Sequence, residues 1–266
     1  MWKRILLIFA LLCGMAAPAA AAMSSGSSGE IKDAARVVPF AKKVERMLAE
    51  RGVAVAIVSR VGRDPSDMPD GITYTHVGLW VYSEITTADG RKVNGYVVHN
   101  LYQLDKSPDK SALVDDFPAE FFGDVFELKS GIIIPTPELQ ARLLRVVNSP
   151  SYKKLHVPDY SLVANPYDWR YQNCTNFIMD NLVAAIYGTD DRKLITANLK
   201  AYYEPQPVGI SGLERTFGPL FVGGFHTDDH DGPLRTSTFE SIARFLQRYR
   251  LAQAVLEVKE DTPLVN

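Results

Sequence analysis

Apolar and polar positions alternate along this chain with two periods, and the places where the period changes mark its elements. From Ile31 to Arg51, Val38, Phe40, Ala41, Val44, Met47 and Leu48 fall on one side of a helical projection. That predicts an amphipathic helix, with Pro39 either near its first turn or breaking it there, and Gly52 closing it. Val53 to Ser59 is a short strand, and residues 60 to 71 carry turn chemistry. Ile72 to Tyr82 and Gly95 to Leu104 are two strand-like runs flanking Ala88-Asp89-Gly90-Arg91, a strong hairpin turn. With the turn centred near Asp89-Gly90, His76 falls opposite residues 101 to 103. A bulge of one or two residues would set His99 or Asn100 there instead.

Further on, Asp105 to Ser111 reads as a loop, Asp115 to Asp124 as a short helix or turn, and Gly131 to Pro135 as a strand. Thr136-Pro137-Glu138 opens a helix reaching Val147, because proline suits a first helical position. Pro150 to Tyr167 is irregular. Helices are expected from Asn173 to Tyr187-Gly188, from Asp190 to Tyr203 and from Ser237 to Arg250, with a glycine-rich loop over Pro205 to Pro233 and a last strand from Ala254 to Val258. The fold class this predicts is α+β: an antiparallel sheet with one central helix packed on it.

The N-terminus changes the picture first. Trp2-Lys3-Arg4 is a basic start, Ile5 to Ala17 an apolar core, and Ala19 to Ala22 small residues suited to cleavage. Residues 1–22 read as a signal peptide, 23–30 as a flexible lead-in, and 31–266 as a single domain with a C-terminal helical extension. A lipoprotein reading would use Cys13, but Leu12 stands before it where a small residue is wanted. The expected location is periplasmic or secreted, with no transmembrane segment once the signal is removed. The full chain carries a formal net charge of −2 and no basic run, so no nucleic acid is expected as a partner.

Cys13 would leave with the signal, and the mature protein then keeps one cysteine, Cys174, which cannot form an internal disulfide. That residue follows Arg170-Tyr171-Gln172-Asn173 and opens the helix holding Phe177, Ile178, Leu182 and Ile186 on an apolar stripe. Asn173 is a good N-cap. A cysteine in the first turn feels the positive end of the helix dipole, so a thiol pKa below the free value of about 8.5 is expected. A thiolate nucleophile needs a base, and His76 lies on a strand beside Gly78, which leaves room for another element to approach.

The strand Thr75-His76-Val77-Gly78, followed much later by Asn173-Cys174-Thr175-Asn176-Phe177 at a helix start, resembles the circularly permuted branch of the NlpC-type papain-like fold. That branch includes bacterial cell-envelope cysteine hydrolases and lecithin:retinol acyltransferase-like enzymes. More narrowly, Arg60-Val61-Gly62-Arg63, Val98-His99-Asn100-Leu101, Phe121-Phe122 and Tyr171 to Cys174 look like an uncharacterised family of secreted bacterial proteins, classed as a domain of unknown function. The likeness spans roughly residues 53 to 187. It implies Cys174 as nucleophile, His76 as general base and a third polar residue on the next strand, His99 first and Asn100 second. Only one of those neighbours can serve, since they face opposite ways. The oxyanion would meet the Cys174 amide, with Tyr171 or Gln172 as a possible side-chain donor. The chain departs from the common Asp-Cys-Ser-Gly pattern, so substrate is not carried over.

Tyr167, Trp169 and Tyr171 are candidates for a substrate groove. His226 to Gly232 superficially resembles a metal loop, but Thr227 and Thr238 stand where a calcium loop needs carboxylates, so no metal and no cofactor are expected. The expected activity is a cysteine hydrolase or acyltransferase acting on an amide or ester, with a cell-envelope peptide, amide or lipid ester as substrate. The rival is a non-catalytic cell-envelope binding protein on the same fold.

Overall fold

The computed structural model describes residues 31–209 and 223–263. The expected signal peptide, the lead-in and residues 210–222 of the long loop lie outside the described residues. The rest is a mixed α+β fold built on a six-stranded sheet. Its strands are β1 (Val55–Arg60), β2 (His76–Thr86), β3 (Lys92–Leu104), β4 (Ser107–Asp116), β5 (Lys129–Pro135) and, far along the chain, β8 (Ala252–Lys259). They lie in the order β4-β3-β2-β1-β5-β8, and every pairing is antiparallel. Two further short strands, β6 (Gln206–Pro207) and β7 (Arg235–Thr236), pair with each other.

Strand parity divides the molecule into layers. Val55, Ile57, Val77, Leu79, Val81 and Leu101 face one side. There they pack on α3 (Pro137–Val147), α4 (Pro150–Lys154), α5 (Cys174–Tyr187), α6 (Arg192–Tyr202) and α7 (Phe239–Arg248). Ala56, Val58, Trp80, Tyr96 and Val98 face the other side, under α1 (Ala34–Glu50) and α2 (Pro118–Phe121). α1 buries Phe40, Ala41, Val44, Met47 and Leu48 as its periodicity predicts, but Val37 takes the place of Val38, which is 39% exposed, and the helix continues through Pro39.

Three local readings are corrected. The helix α5 is buried all round from Cys174 to Ala185 rather than along one stripe, because helices cover the face it turns away from the sheet. Its buried amides find backbone acceptors: Asn181 donates to Phe177 O (2.8 Å) and Asn176 to Ala164 O (3.0 Å), although Asn181 Oδ1 is buried with no hydrogen-bond partner. Residues 107–111, read as loop, begin β4, whose charge and proline are tolerated at the sheet edge. The stretch read as irregular from Pro150 holds the short helix α4, capped by Ser149, whose hydroxyl accepts from Ser151 N.

The β2–β3 hairpin turns where Asp89-Gly90 predicts. Thr86 pairs with Lys92 and Leu79 with His99. Continued three residues, that register sets His76 opposite Tyr102, without the bulge that would have brought His99 or Asn100 directly across. Asn100 remains the diagonal neighbour of His76 on the same face.

Candidate functional site

The site forms where the first residue of β2 meets the N-terminus of α5. Asn173 caps the helix: its Oδ1 accepts from Asn176 N (2.8 Å), and its Nδ2 donates to Leu162 O and to Thr236 Oγ1, both at 3.0 Å. The turn that carries Cys174 is fixed further by Thr175, whose Oγ1 lies 2.8 Å from Asn173 Oδ1 and 2.7 Å from Ser237 O and shares its one proton between these two acceptors. Cys174 is 5% exposed. Its Sγ lies against the backbone amides of Val77, of Thr175 and of Cys174 itself. The Val77 amide belongs to the peptide link leaving His76, so the sulfur is held beside the main chain of the histidine.

His76 is 1% exposed and projects from the opposite face of β2, among Tyr102, Phe121 and Arg60. Its ring stacks on Tyr102 at 4.7 Å between centroids and 19° between planes. Nε2 lies 3.0 Å from Asn100 Oδ1. The amide orientation follows from its other bonds: Asn100 Nδ2 donates to Val98 O (3.1 Å) and to Asp116 Oδ2 (3.2 Å). With the nitrogen committed there, Oδ1 must face the ring, so Nε2 carries the proton and Nδ1 keeps its lone pair. Gly78 makes this possible. A Cβ there would stand 2.7 Å from Asn100 Oδ1 and 2.9 Å from Val98 Cγ1. The room beside the histidine is filled by Asn100 and by Phe121 at the end of α2, not by the N-terminus of α5.

His99 is not brought to His76. Parity turns its side chain to the other face, where Nδ1 lies 2.6 Å from Asp115 Oδ1 and the ring packs edge-on to Tyr152. Gln172 is buried, but its side chain is consumed: Oε1 accepts from Val157 N, and Nε2 donates to Leu155 O and to Asp180 Oδ2 (2.7 Å). Tyr171 stacks on His226 at 4.6 Å and 8°. Tyr167 OH donates to Tyr203 O, and Trp169 Nε1 to Thr196 Oγ1, each at 2.6 Å. These aromatics anchor the approach to α5 against neighbouring elements instead of lining a groove at the thiol.

The recess beside Cys174 is small, about 30 Å³, with Tyr74, Thr75, Tyr160, Leu162, Ser237 and Thr238 among its walls. It has room for a carbonyl group or one or two waters. Larger surface clefts, such as one of about 580 Å³ between α1 and β8, hold no cysteine or histidine.

Electrostatics reverse one expectation. Burial pushes the Cys174 thiol up to about 11, against the amides of Val77 and Thr175 and the Arg60 charge, which pull it down. Burial also holds His76 well below its ordinary value, and Arg60 adds to that. Desolvation outweighs the helix terminus, so the closed site contains a neutral thiol and a neutral imidazole near pH 7. Arg60 is the residue that the sequence reading left out of the site. It is 2% exposed, pairs with His76 across β1 and β2, and holds its guanidinium over Tyr102 (5.7 Å) and Phe121 (5.3 Å). Its signal was the Arg60-Val61-Gly62-Arg63 motif at the end of a buried strand.

The 226–232 loop has structural work. Asp229 accepts from Asn165 N (2.7 Å), and His226 Nε2 lies 2.8 Å from Asp109 Oδ1. Among the described residues no group of three or more His, Cys, Asp or Glu side chains could hold a metal ion. No helix among them is long and apolar enough to cross a membrane. Neither curated proteins nor solved structures include a match to this chain. A family profile does match, over residues 47–246, a span that takes in β1 to β5, the cysteine helix and most of α7. The chain belongs to DUF2145, a family described as uncharacterized proteins conserved in bacteria.

Proposed function

We propose that this protein is an exported cysteine-dependent hydrolase or acyltransferase, on a circularly permuted papain-like fold of the NlpC type. It acts on an amide or ester of the cell envelope, peptide or lipid, through a thioester. The observation that carries the reading is the place of Cys174, at the capped N-terminus of α5 with its sulfur against the Val77 amide, the peptide link leaving His76, whose ring is held on Asn100 through Nε2.

Because both groups rest neutral, the base acts during attack rather than in a preformed ion pair. In this reading His76, at the first residue of β2, reaches round the strand end to take the thiol proton as Sγ bonds to the carbonyl carbon. The oxyanion is met by the Cys174 amide at the helix N-terminus. Collapse breaks the bond to the amine or alcohol, which leaves with the proton from His76. Water or an amine then attacks the thioester, again giving its proton to His76, and the thiol is regenerated.

The test is acyl capture from p-nitrophenyl acetate, whose acetyl group suits a small recess. Intact mass and peptide mapping should place a hydroxylamine-labile acetyl group on Cys174 in the wild type and none in His76→Ala. The burial of Cys174 favours a second reading, a non-catalytic envelope binding protein on the same fold. Absence of the adduct, with a thiol whose alkylation is indifferent to His76→Ala, would decide for that binder.

A further inference from the structure

We infer that Asp116 is a positioning residue for His76, acting through both of the groups that support the imidazole. The inference rests on the proposed reaction, since it assigns a part in preparing its base.

His76 is fixed in two directions. Asn100 holds it in the ring plane through Nε2, at 3.0 Å, and Tyr102 holds it by stacking, at 4.7 Å. Both supports converge on one atom. Asp116 Oδ2 accepts from Asn100 Nδ2 at 3.2 Å and from Tyr102 OH at 2.6 Å. Asp116 is 5% exposed and lies at the end of β4, level with Val98, so the edge strand places a carboxylate behind the central histidine.

The chemistry follows from donor and acceptor counts. An amide side chain can turn over, presenting either oxygen or nitrogen to a neighbour. If Asn100 turned its Nδ2 to His76, the ring would accept there and the proton would move to Nδ1. The base would then have no lone pair for the thiol. Val98 O and Asp116 Oδ2 both require a donor from Asn100 and so oppose that flip. Of the two, only Asp116 also fixes the ring from its face through Tyr102. Removing the carboxylate leaves one backbone acceptor to hold the amide and frees the phenol.

The experiment is nitrogen-15 NMR of the histidine rings in the full mature chain, with the His76 signals assigned by their loss in His76→Ala. It is run on wild type, Asp116→Ala, Asp116→Asn and Tyr102→Phe, each first shown to melt cooperatively. Acetylation of Cys174 by p-nitrophenyl acetate is measured on the same samples. Wild type should show a single tautomer with the proton on Nε2. Asp116→Ala should show a mixture and acetylate at least tenfold more slowly. Asp116→Asn, whose Oδ1 can still accept from both donors, should recover most of each. A folded Asp116→Ala with the single Nε2–H tautomer overturns the proposal. Should that variant not fold, Tyr102→Phe decides: it keeps the amide tether and loses the ring support, so unchanged His76 signals reject the role. If tautomers shift while even wild type is never acetylated, the positioning stands and the enzymatic reading fails. If tautomers do not shift but acetylation proceeds, the reverse holds.

Discussion

His76 and His99 stand on neighbouring strands, each with a side-chain oxygen within hydrogen-bond distance of a ring nitrogen, and the sheet treats them in opposite ways. His76 lies on the buried face under α2, bonded to the uncharged Asn100 and close to the Arg60 guanidinium. Burial and the Arg60 charge disfavour imidazolium there and outweigh the Asn100 hydrogen bond, which favours it. His99 lies on the other face beside Asp115, whose side chain is 65% exposed and whose carboxyl is held below its ordinary range by that histidine. A general base must spend its resting life neutral, so the first environment prepares one and the second makes a peripheral hydrogen-bonded contact with a carboxylate.

The widest separation between the two should appear on removing each ring. In the proposed reaction His76→Ala should slow acetylation of Cys174 by about 10²- to 10⁴-fold, the range for losing a positioned base. His99→Ala should stay within about threefold, since its ring is engaged by Asp115 and the edge of Tyr152 on the face of the sheet away from Asn100. Stopped-flow release of p-nitrophenol measures both. Equal losses would erase the contrast and return His99 to the site.

A smaller effect is expected when the base stays and its support is displaced. In Gly78→Ala the new methyl would meet Asn100 Oδ1 at 2.7 Å, so the amide must leave His76 or the strands must part. Overpacking of this kind costs about 1–3 kcal/mol of stability. A displacement near 1 Å can cost about 100-fold in rate, so a loss of about 10- to 100-fold in acetylation is the expected outcome. Full activity with an unchanged melting temperature would mean Asn100 does not hold the ring. The pair of measurements thus sharpens which neighbour the base depends on.

How much of this was legible in the sequence depends on what parity and turn chemistry could decide. Asp89-Gly90 gave the hairpin, and with it the register that sets His76 across from Tyr102. The same register excludes His99, because neighbouring residues face opposite ways, but choosing between His99 and Asn100 needed the bulge-free ladder. Asn173 announced the helix start, yet the thiol's environment was misread. A sequence shows the cap and the dipole but not the chain of 155–164 and 236–238 folded over the cysteine, and that cover dominates its acidity. Gln172, Tyr167 and Trp169 looked like site residues from proximity alone. Their partners, Asp180, Tyr203 and Thr196, lie on α5, α6 or the end of α6, where tertiary packing and not spacing brings them. Asp116 and Arg60 sat within reach of the motifs but had no local pattern to mark them.

The covered thiol has its own signature. With a value near 11, alkylation of Cys174 by iodoacetamide should rise about tenfold per pH unit through neutrality and level off only near that value, not near 8.5 as for a free thiol. Folded-state acidity weaker than in the unfolded chain also means stability that is present below about pH 8.5 and is lost as pH rises toward 11. Arg60→Met removes a charge that lowers both groups, so the thiol should level off at still higher pH and His76 should become more basic. A profile that levels near pH 8.5 in wild type would show the cysteine to be open to water.

The smallest effect separates the two neighbouring carboxylates of β4. Asp115 is held below its ordinary value by the His99 bond, and Asp116 is raised, chiefly by burial. Their linkages therefore have opposite signs. Asp115 stabilises the fold above about pH 4, and that contribution is lost as pH falls through its lowered folded value. Asp116 contributes stability below about pH 4 that is lost as pH rises through its raised folded value. Because Asp115 is largely exposed, its pair with His99 is a surface interaction of about 0–1 kcal/mol. Chemical denaturation between pH 3 and 6 should show Asp115→Asn falling slightly behind wild type as pH rises, and Asp116→Asn gaining on it over the same interval. Parallel curves for the two variants would mean that the sheet does not divide these faces electrostatically, and the distinction between a buried neutral base and a histidine at a peripheral carboxylate would lose its physical ground.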